Sequence, residues 1–328
     1  MRKLIIAAAA ALLLPLAASA AGAYHVVRRI PLADGGWDLL SYDPAARRVY
    51  LARTDGVDSI DPDSGRVTRL AGAARSHAAL AIGEDQVLVT DGGTNTARFL
   101  SARSGQELAA VPVGQGPDAA VIDPATGLAL VMSPGSGEIT LIEPRSHAVR
   151  AILQVGGSLE LAVADGKGRV FVNIEDRNQL AVIDVAARSV RTAELGGCDG
   201  PTGIAWLPLA HRVLSTCGNG VAALTDPDAL RLDRTLPIGE GPDTALYDPA
   251  RRLALVPCGR SGELYLFRDG PTVTAEGSVV TQRGARTGAI DPASGRVFLP
   301  AAEFEAPSSP GGRPQLRPGS VTLLVMAP

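Results

Sequence analysis

The chain has 328 residues, 46% hydrophobic and 4% aromatic, with 31 Lys and Arg against 34 Asp and Glu and a net charge of −3. That balance argues against a polyanion partner, because nucleic-acid affinity comes largely from Lys and Arg neutralising phosphates, and scarce aromatics leave few stacking platforms for single strands. The length is large for one simple core and normal for a repeat architecture.

At the start, Arg2 and Lys3 precede an apolar run over residues 4–16 and the small-x-small triplet Ala18-Ser19-Ala20. This order predicts a secretory signal peptide over residues 1–20, cut near Ala20, whose apolar run is too short to span a bilayer. No Cys follows the run to carry a lipid. The expected product is periplasmic or secreted, with residues 21–328 as one domain and 29 basic against 34 acidic residues. No later apolar run is long enough to span a membrane.

Beyond residue 37 one phrase recurs: an apolar strand, a turn that is usually Asp-Pro, and a second strand. The turns begin at Asp43, Gly83, Asp123, Asp165, Leu207, Asp248 and Asp291, 40 to 43 residues apart. A period near 40 with strand-like units marks a β-propeller. Helical repeats would need long stretches of 3.6-residue periodicity, and none follows residue 20. The third unit shows the pattern: an inner strand Ala119–Ile122, a turn over residues 123–127, then strands over residues 128–132, 138–142 and 149–155. Asp caps its own backbone in such a turn and Pro presets φ. The inner strands are small and apolar on both faces, as suits strands near a crowded axis. The seventh unit offers three strands, near residues 287–290, 297–300 and 320–326. Residues 24–32 supply the fourth and close the ring, so that no long edge is left open. The expected fold is all-β: a seven-bladed β-propeller of four-stranded blades, with the N-terminal strand completing the last blade.

In such a ring the entries to the inner strands share one face with the loops between second and third strands. Asp38, His77, Asp118, Glu160, Thr202, Asp243 and Thr287 enter the seven inner strands. Symmetry should place them around the mouth of the central channel. Four carboxylates and one imidazole form a concentrated negative site suited to a divalent cation. Pro-Asp belongs to the repeat phrase, so Asp118 and Asp243 also read as turn caps. His77 and Glu160 break the phrase and read as functional. The loops add Asp91, Asn173, Glu175, Asp176, Arg177, Arg260 and Glu303, and Arg286 beside Thr287 offers a cation for an anionic group. The long loop over residues 303–319 carries Pro307, Pro310, Pro314 and Pro318, and loops of this length are usually functional or disordered.

Gly114-Gln115-Gly116-Pro117-Asp118-Ala119 loosely matches a dinucleotide fingerprint, but it opens a strand where a helix is required, and a twin stands at Gly239. It reads as a blade-to-blade turn. No Gly-x-Ser-x-Gly, His-Glu-x-x-His or P-loop occurs, and four His do not suggest a dense histidine metal cluster. Cys198 and Cys217 fall at one end of the same hairpin, so a disulfide between them is expected after export. Pairing Cys217 with Cys258 is the alternative, and either choice leaves one odd thiol.

The phrase Gly-x-Gly-Pro-Asp, strand, Asp-Pro-x-x-Gly, strand, then a strand ending Ile-Asp resembles the YVTN-type repeat of YncE-like bacterial propellers. It stands at residues 114–127 and, in part, at 239–249. Residues 165–176, 201–205, 281–287 and 318–320 are also similar to that family. The resemblance covers essentially the whole chain after residue 20 and is weakest in the first two blades, where Gly83-Glu84 replaces Asp-Pro. It implies an exported seven-bladed propeller and no single agreed activity. Nucleic-acid binding is associated with the family's namesake, and the acidic balance argues against it here.

The leading expectation is therefore a monomeric, non-enzymatic binding protein or scaffold holding a small ligand or protein partner at the mouth. No cofactor is expected apart from a divalent cation that the ring would suit. The competing readings are a metal-assisted hydrolase, lactonase or lyase built on His77, Asp118, Glu160 and Asp243, and, last, nucleic-acid binding.

Overall fold

The computed structural model describes residues 24–305 and 315–328. The expected signal peptide and Pro307, Pro310 and Pro314 of the long loop lie outside the described residues. Within them, seven four-stranded antiparallel sheets and one two-stranded hairpin account for the regular structure, with a single 3-10 turn, Glu175–Arg177. No helix among the described residues is long and apolar enough to cross a membrane.

Six sheets are simple meanders, from blade one (Trp37–Asp43, Arg48–Arg53, Gly56–Ile60, Val67–Gly72) to blade six (Leu246–Asp248, Leu253–Cys258, Glu263–Arg268, Thr274–Val280). Blade seven takes Ala289–Ile290, Val297–Ala301 and Thr322–Ala327 from one end of the chain and His25–Pro31 from the other. The N-terminal strand is its outermost member, so the ring is closed between strands nearly three hundred residues apart, His25 opposite Ala327.

Strand periodicity explains the core. Successive side chains point to opposite faces of a sheet, and in a ring each face meets a different neighbouring blade. Val87 and Val89 therefore join the cluster between blades one and two, while Leu88 joins the cluster between blades two and three. Ala129 and Val131 face blade two, and Leu130 and Met132 face blade four. Seven apolar clusters result, one at each blade interface. Second strands are consequently apolar on both faces.

The turns follow the expected chemistry with one local departure. Asp123 accepts the amides of Ala125 and Thr126, and Gly127 closes the turn at φ 72°. Asp43, Asp248 and Asp291 cap their turns in the same way. Blade two, which lacks Asp-Pro, turns instead on Glu84 and Asp85, both at positive φ, between the paired residues Gly83 and Gln86. This is the primed two-residue hairpin whose twist matches that of its strands.

Candidate ligand-binding site at the channel mouth

The inner strands carry an irregularity where they enter the channel. In blade one Trp37 pairs with Arg53 and Leu40 with Leu51, so the inner strand holds one extra residue. Blades two, four and five repeat this between Ser76 and Ala79, Leu159 and Ala162, and Pro201 and Ile204. In blade six it lies between Pro242 and Leu246. Bulges leave a residue outside the ladder and re-aim its side chain. Asp38, His77, Glu160, Thr202 and Asp243 all fall inside these bulges.

Side chains of neighbouring strands hold the bulged backbone. Thr90 Oγ1 accepts the Ala78 amide at 2.8 Å and donates to the Asp118 carbonyl at 2.9 Å, so one hydroxyl ties the His77 bulge to the entry of blade three. Thr216 Oγ1 accepts the Gly203 amide. Asn173, expected in a loop, is buried in the strand Arg169–Ile174 and donates to the carbonyls of Thr202 and Gly203. Ser41 Oγ donates to the Ala79 carbonyl and accepts the Ala81 amide, joining blades one and two. Thr287 Oγ1 donates to the Asp38 carbonyl across the ring closure. Of these supports, Thr90, Thr216 and Ser41 are absent from the sequence-based set. Single hydroxyl residues in apolar strands give no pattern to notice.

The supported residues bring ionisable groups together. His77 Nδ1 is hydrogen-bonded to Asp38 Oδ2 at 2.8 Å and lies 3.1 Å from Asp118 Oδ1, between carboxylates from blades one and three. The three ligand atoms offered by Asp38, His77 and Asp118 lie within 4.8 Å of one another, close enough to face one ion. The hydrogen bond to Asp38 raises the His77 pKa, and Asp118 adds to it against the opposing effect of burial. Burial pushes the Asp118 carboxyl up to about 6, with repulsion from Asp38 adding and His77 opposing. Asp243 is likewise pushed up to about 6 by burial, although Arg286 Nη1 lies 3.2 Å away and opposes the shift. Burial pushes Glu160 up to about 9, and Asp118, Glu175, Asp243 and Asp38 all repel its charge. Among the described residues no hydrogen bond reaches the Glu160 carboxyl, and none appears among the causes of its shift. Among the cations, exposed Arg75 acts on Asp118 and exposed Arg286 on Asp243, each opposing the upward shift of its acid.

The other expected mouth residues divide. Glu175 acts on Asp118, Glu160 and Asp243 electrostatically. Thr202 donates to the Pro242 carbonyl of the next blade. Asp91 is buried, and its carboxylate accepts the amides of Ala74, Arg75 and Gly93, which makes it a loop cap. Asp176 caps the Ser158 amide at 2.7 Å. Glu303 is exposed and paired with Arg317 at 2.6 Å. Cys198 and Cys217 form a disulfide with Cα atoms 5.3 Å apart, and Cys258 is a free, buried thiol pushed up to about 12 by burial. Gly116 sits in a blade-to-blade turn at φ 58° that leads into the inner strand Ala119–Ile122, with no helix after it.

No family model and no curated protein matches the chain. Among solved structures the chain is similar to one from a crystal structure of the mitotic checkpoint complex, with a TM-score of 0.71 and 15% identity, covering 100% of this chain and 98% of the other. At that identity the likeness speaks to fold alone. Together with the seven sheets it places the protein among the seven-bladed β-propellers.

Proposed function

We propose that the protein is an exported, YncE-like propeller that binds a cationic ligand at the channel mouth. The observation that carries this reading is the convergence of the carboxylates Asp38, Asp118 and Asp243 on one rim around His77, with Glu175 close enough to act on two of them. Export is supported by the order of charge, apolar run and small residues over residues 1–20, and by the Cys198–Cys217 disulfide, since such bonds persist in oxidising compartments. N-terminal sequencing of the protein from fractionated cells checks it, and a chain that keeps residues 1–20 in the cytoplasm counts against export. Binding is tested by calorimetric titration of the purified protein with divalent cations and with organic ammonium ions. The Asp38→Asn/Asp118→Asn double variant is expected to lose most of the affinity while keeping its fold. Wild type that takes up neither kind of cation removes the proposal.

A metal-assisted hydrolase, lactonase or lyase is the second reading, favoured by the two carboxylates and one imidazole of Asp38, His77 and Asp118 facing one point. A divalent ion held there would supply Lewis acidity. Elemental analysis of protein purified without chelator decides it: stoichiometric metal supports this reading, and metal-free protein that takes up no added ion rejects it.

A further inference from the structure

We infer that the ligand is an organic ammonium ion with an apolar tail, its head on the acidic rim and its tail inside the central channel. This inference rests on the mouth reading above and makes it more specific. Directly inside the rim the channel opens into a cavity of about 200 Å³ that all seven inner strands line. It begins one residue beyond the rim: Leu39 follows Asp38, Ala78 follows His77, Ala119 follows Asp118, and Leu161 follows Glu160. Deeper in, the wall remains mostly aliphatic, with Ala162 and Ala245 half-buried along it.

Such a wall, aliphatic apart from Ser41, Thr244 and the free edges of the inner strands, solvates an ion poorly, because a charge moved into largely apolar surroundings is costly. A bare cation is therefore held better at the carboxylate rim than in the channel. An apolar group has the opposite preference. A cavity of roughly 150 Å³ lined by aliphatic side chains accepts benzene, so this one holds a group of that size or a short alkyl chain. The rim sets the sign and the donors of the head. Asp38 and Asp118 accept hydrogen bonds, and an ammonium ion donates up to three. Glu160, whose carboxyl takes no side-chain hydrogen bond among the described residues, gives the head a further oxygen. An anionic head would face like charge, and a neutral hydroxyl would bring a single donor and no charge.

The test is calorimetric titration of the intact mature protein with methylammonium, n-hexylammonium and n-hexanol. Each methylene that enters the channel should tighten binding about fourfold, so hexylammonium is expected to bind roughly tenfold or more tighter than methylammonium even if only part of the chain is buried. Hexanol, which has the tail and a single donor and lacks the charge, is expected to bind more weakly than hexylammonium. Ala162→Leu fills the channel and should abolish the advantage of the longer amine while leaving methylammonium affinity unchanged. Ala245→Leu repeats the test from another blade should the first variant fold poorly. Asp38→Asn should weaken both amines. Equal affinity for the two amines, or an advantage that survives both plugs, overturns the inference and leaves the cation-binding mouth standing. If neither amine nor any divalent cation binds, the mouth reading fails and this inference fails with it.

Discussion

Glu160 shows how one residue reports on the whole rim. Its carboxyl is raised to about 9, so between the ordinary carboxylate range and that value the folded protein holds a proton that the unfolded chain has released. Where the native state binds more protons, stability falls as pH rises. Glu160→Gln copies the protonated acid and cannot ionise. Its melting temperature should match wild type near pH 5 and exceed it above about pH 9, as followed by thermal denaturation across pH. Parallel melting curves would mean that Glu160 ionises normally. Asp118 and Asp243 titrate lower, around 6. Cation affinity should therefore fall steeply when titrations are moved from about pH 8 to about pH 5, as both acids take up protons. Affinity that does not change over this range would place the bound cation away from these two acids. His77 and Glu160 were legible in the sequence because they interrupt a repeated phrase. That the Asp91 carboxylate also accepts the amides of Ala74, Arg75 and Gly93 was not legible, because an acid at such a position looks the same whether or not it caps a buried backbone.

At the scale of the strand, the inner-strand bulges decide which side chains reach the rim. Their backbone groups leave the ladder and must find partners elsewhere, since buried unpaired polar groups are costly. Thr90 satisfies two at once, the Ala78 amide and the Asp118 carbonyl, from within the strand Gln86–Asp91. Thr90→Val keeps the shape and removes both bonds. The expected cost is about 1–3 kcal/mol for groups left without partners, read from urea denaturation. Because the same hydroxyl ties the His77 bulge to Asp118, cation affinity should fall in the variant as well. A variant that loses stability and keeps full affinity would show that Thr90 supports the strand without positioning the site. The strands themselves were legible from alternation and Asp-Pro turns. The bulges were not, because an extra residue changes pairing without changing composition. The turn at Gly83 was legible, but not its primed geometry, in which Glu84 and Asp85 both take positive φ.

Across the molecule, the repeat made the ring legible because seven similar units of 40 to 43 residues leave the last one short of a strand. Closure binds the ends of the chain together at several levels. The strand His25–Pro31 forms a ladder with Thr322–Ala327, and Ile30 and Leu32 enter the cluster between blades seven and one. Tyr24 enters the cluster between blades six and seven, where its hydroxyl donates to Asp248 Oδ2 at 3.0 Å and lies 3.2 Å from the Gly295 carbonyl. The N-terminal segment thus reaches three blades, and the rim depends on it because Thr287 of blade seven holds the Asp38 carbonyl of blade one. Deleting residues 24–32 should bare the edge of Thr322–Ala327, lower the unfolding midpoint and loosen the rim, with cation affinity lost alongside. Tyr24→Phe isolates the smallest part of this effect and should cost about 1 kcal/mol for the lost hydrogen bonding. Thermal and urea unfolding of the two variants beside wild type provides the check. A truncated protein that kept the full-length midpoint would show that the six meander blades and the three-stranded remainder hold the ring without a closing strand.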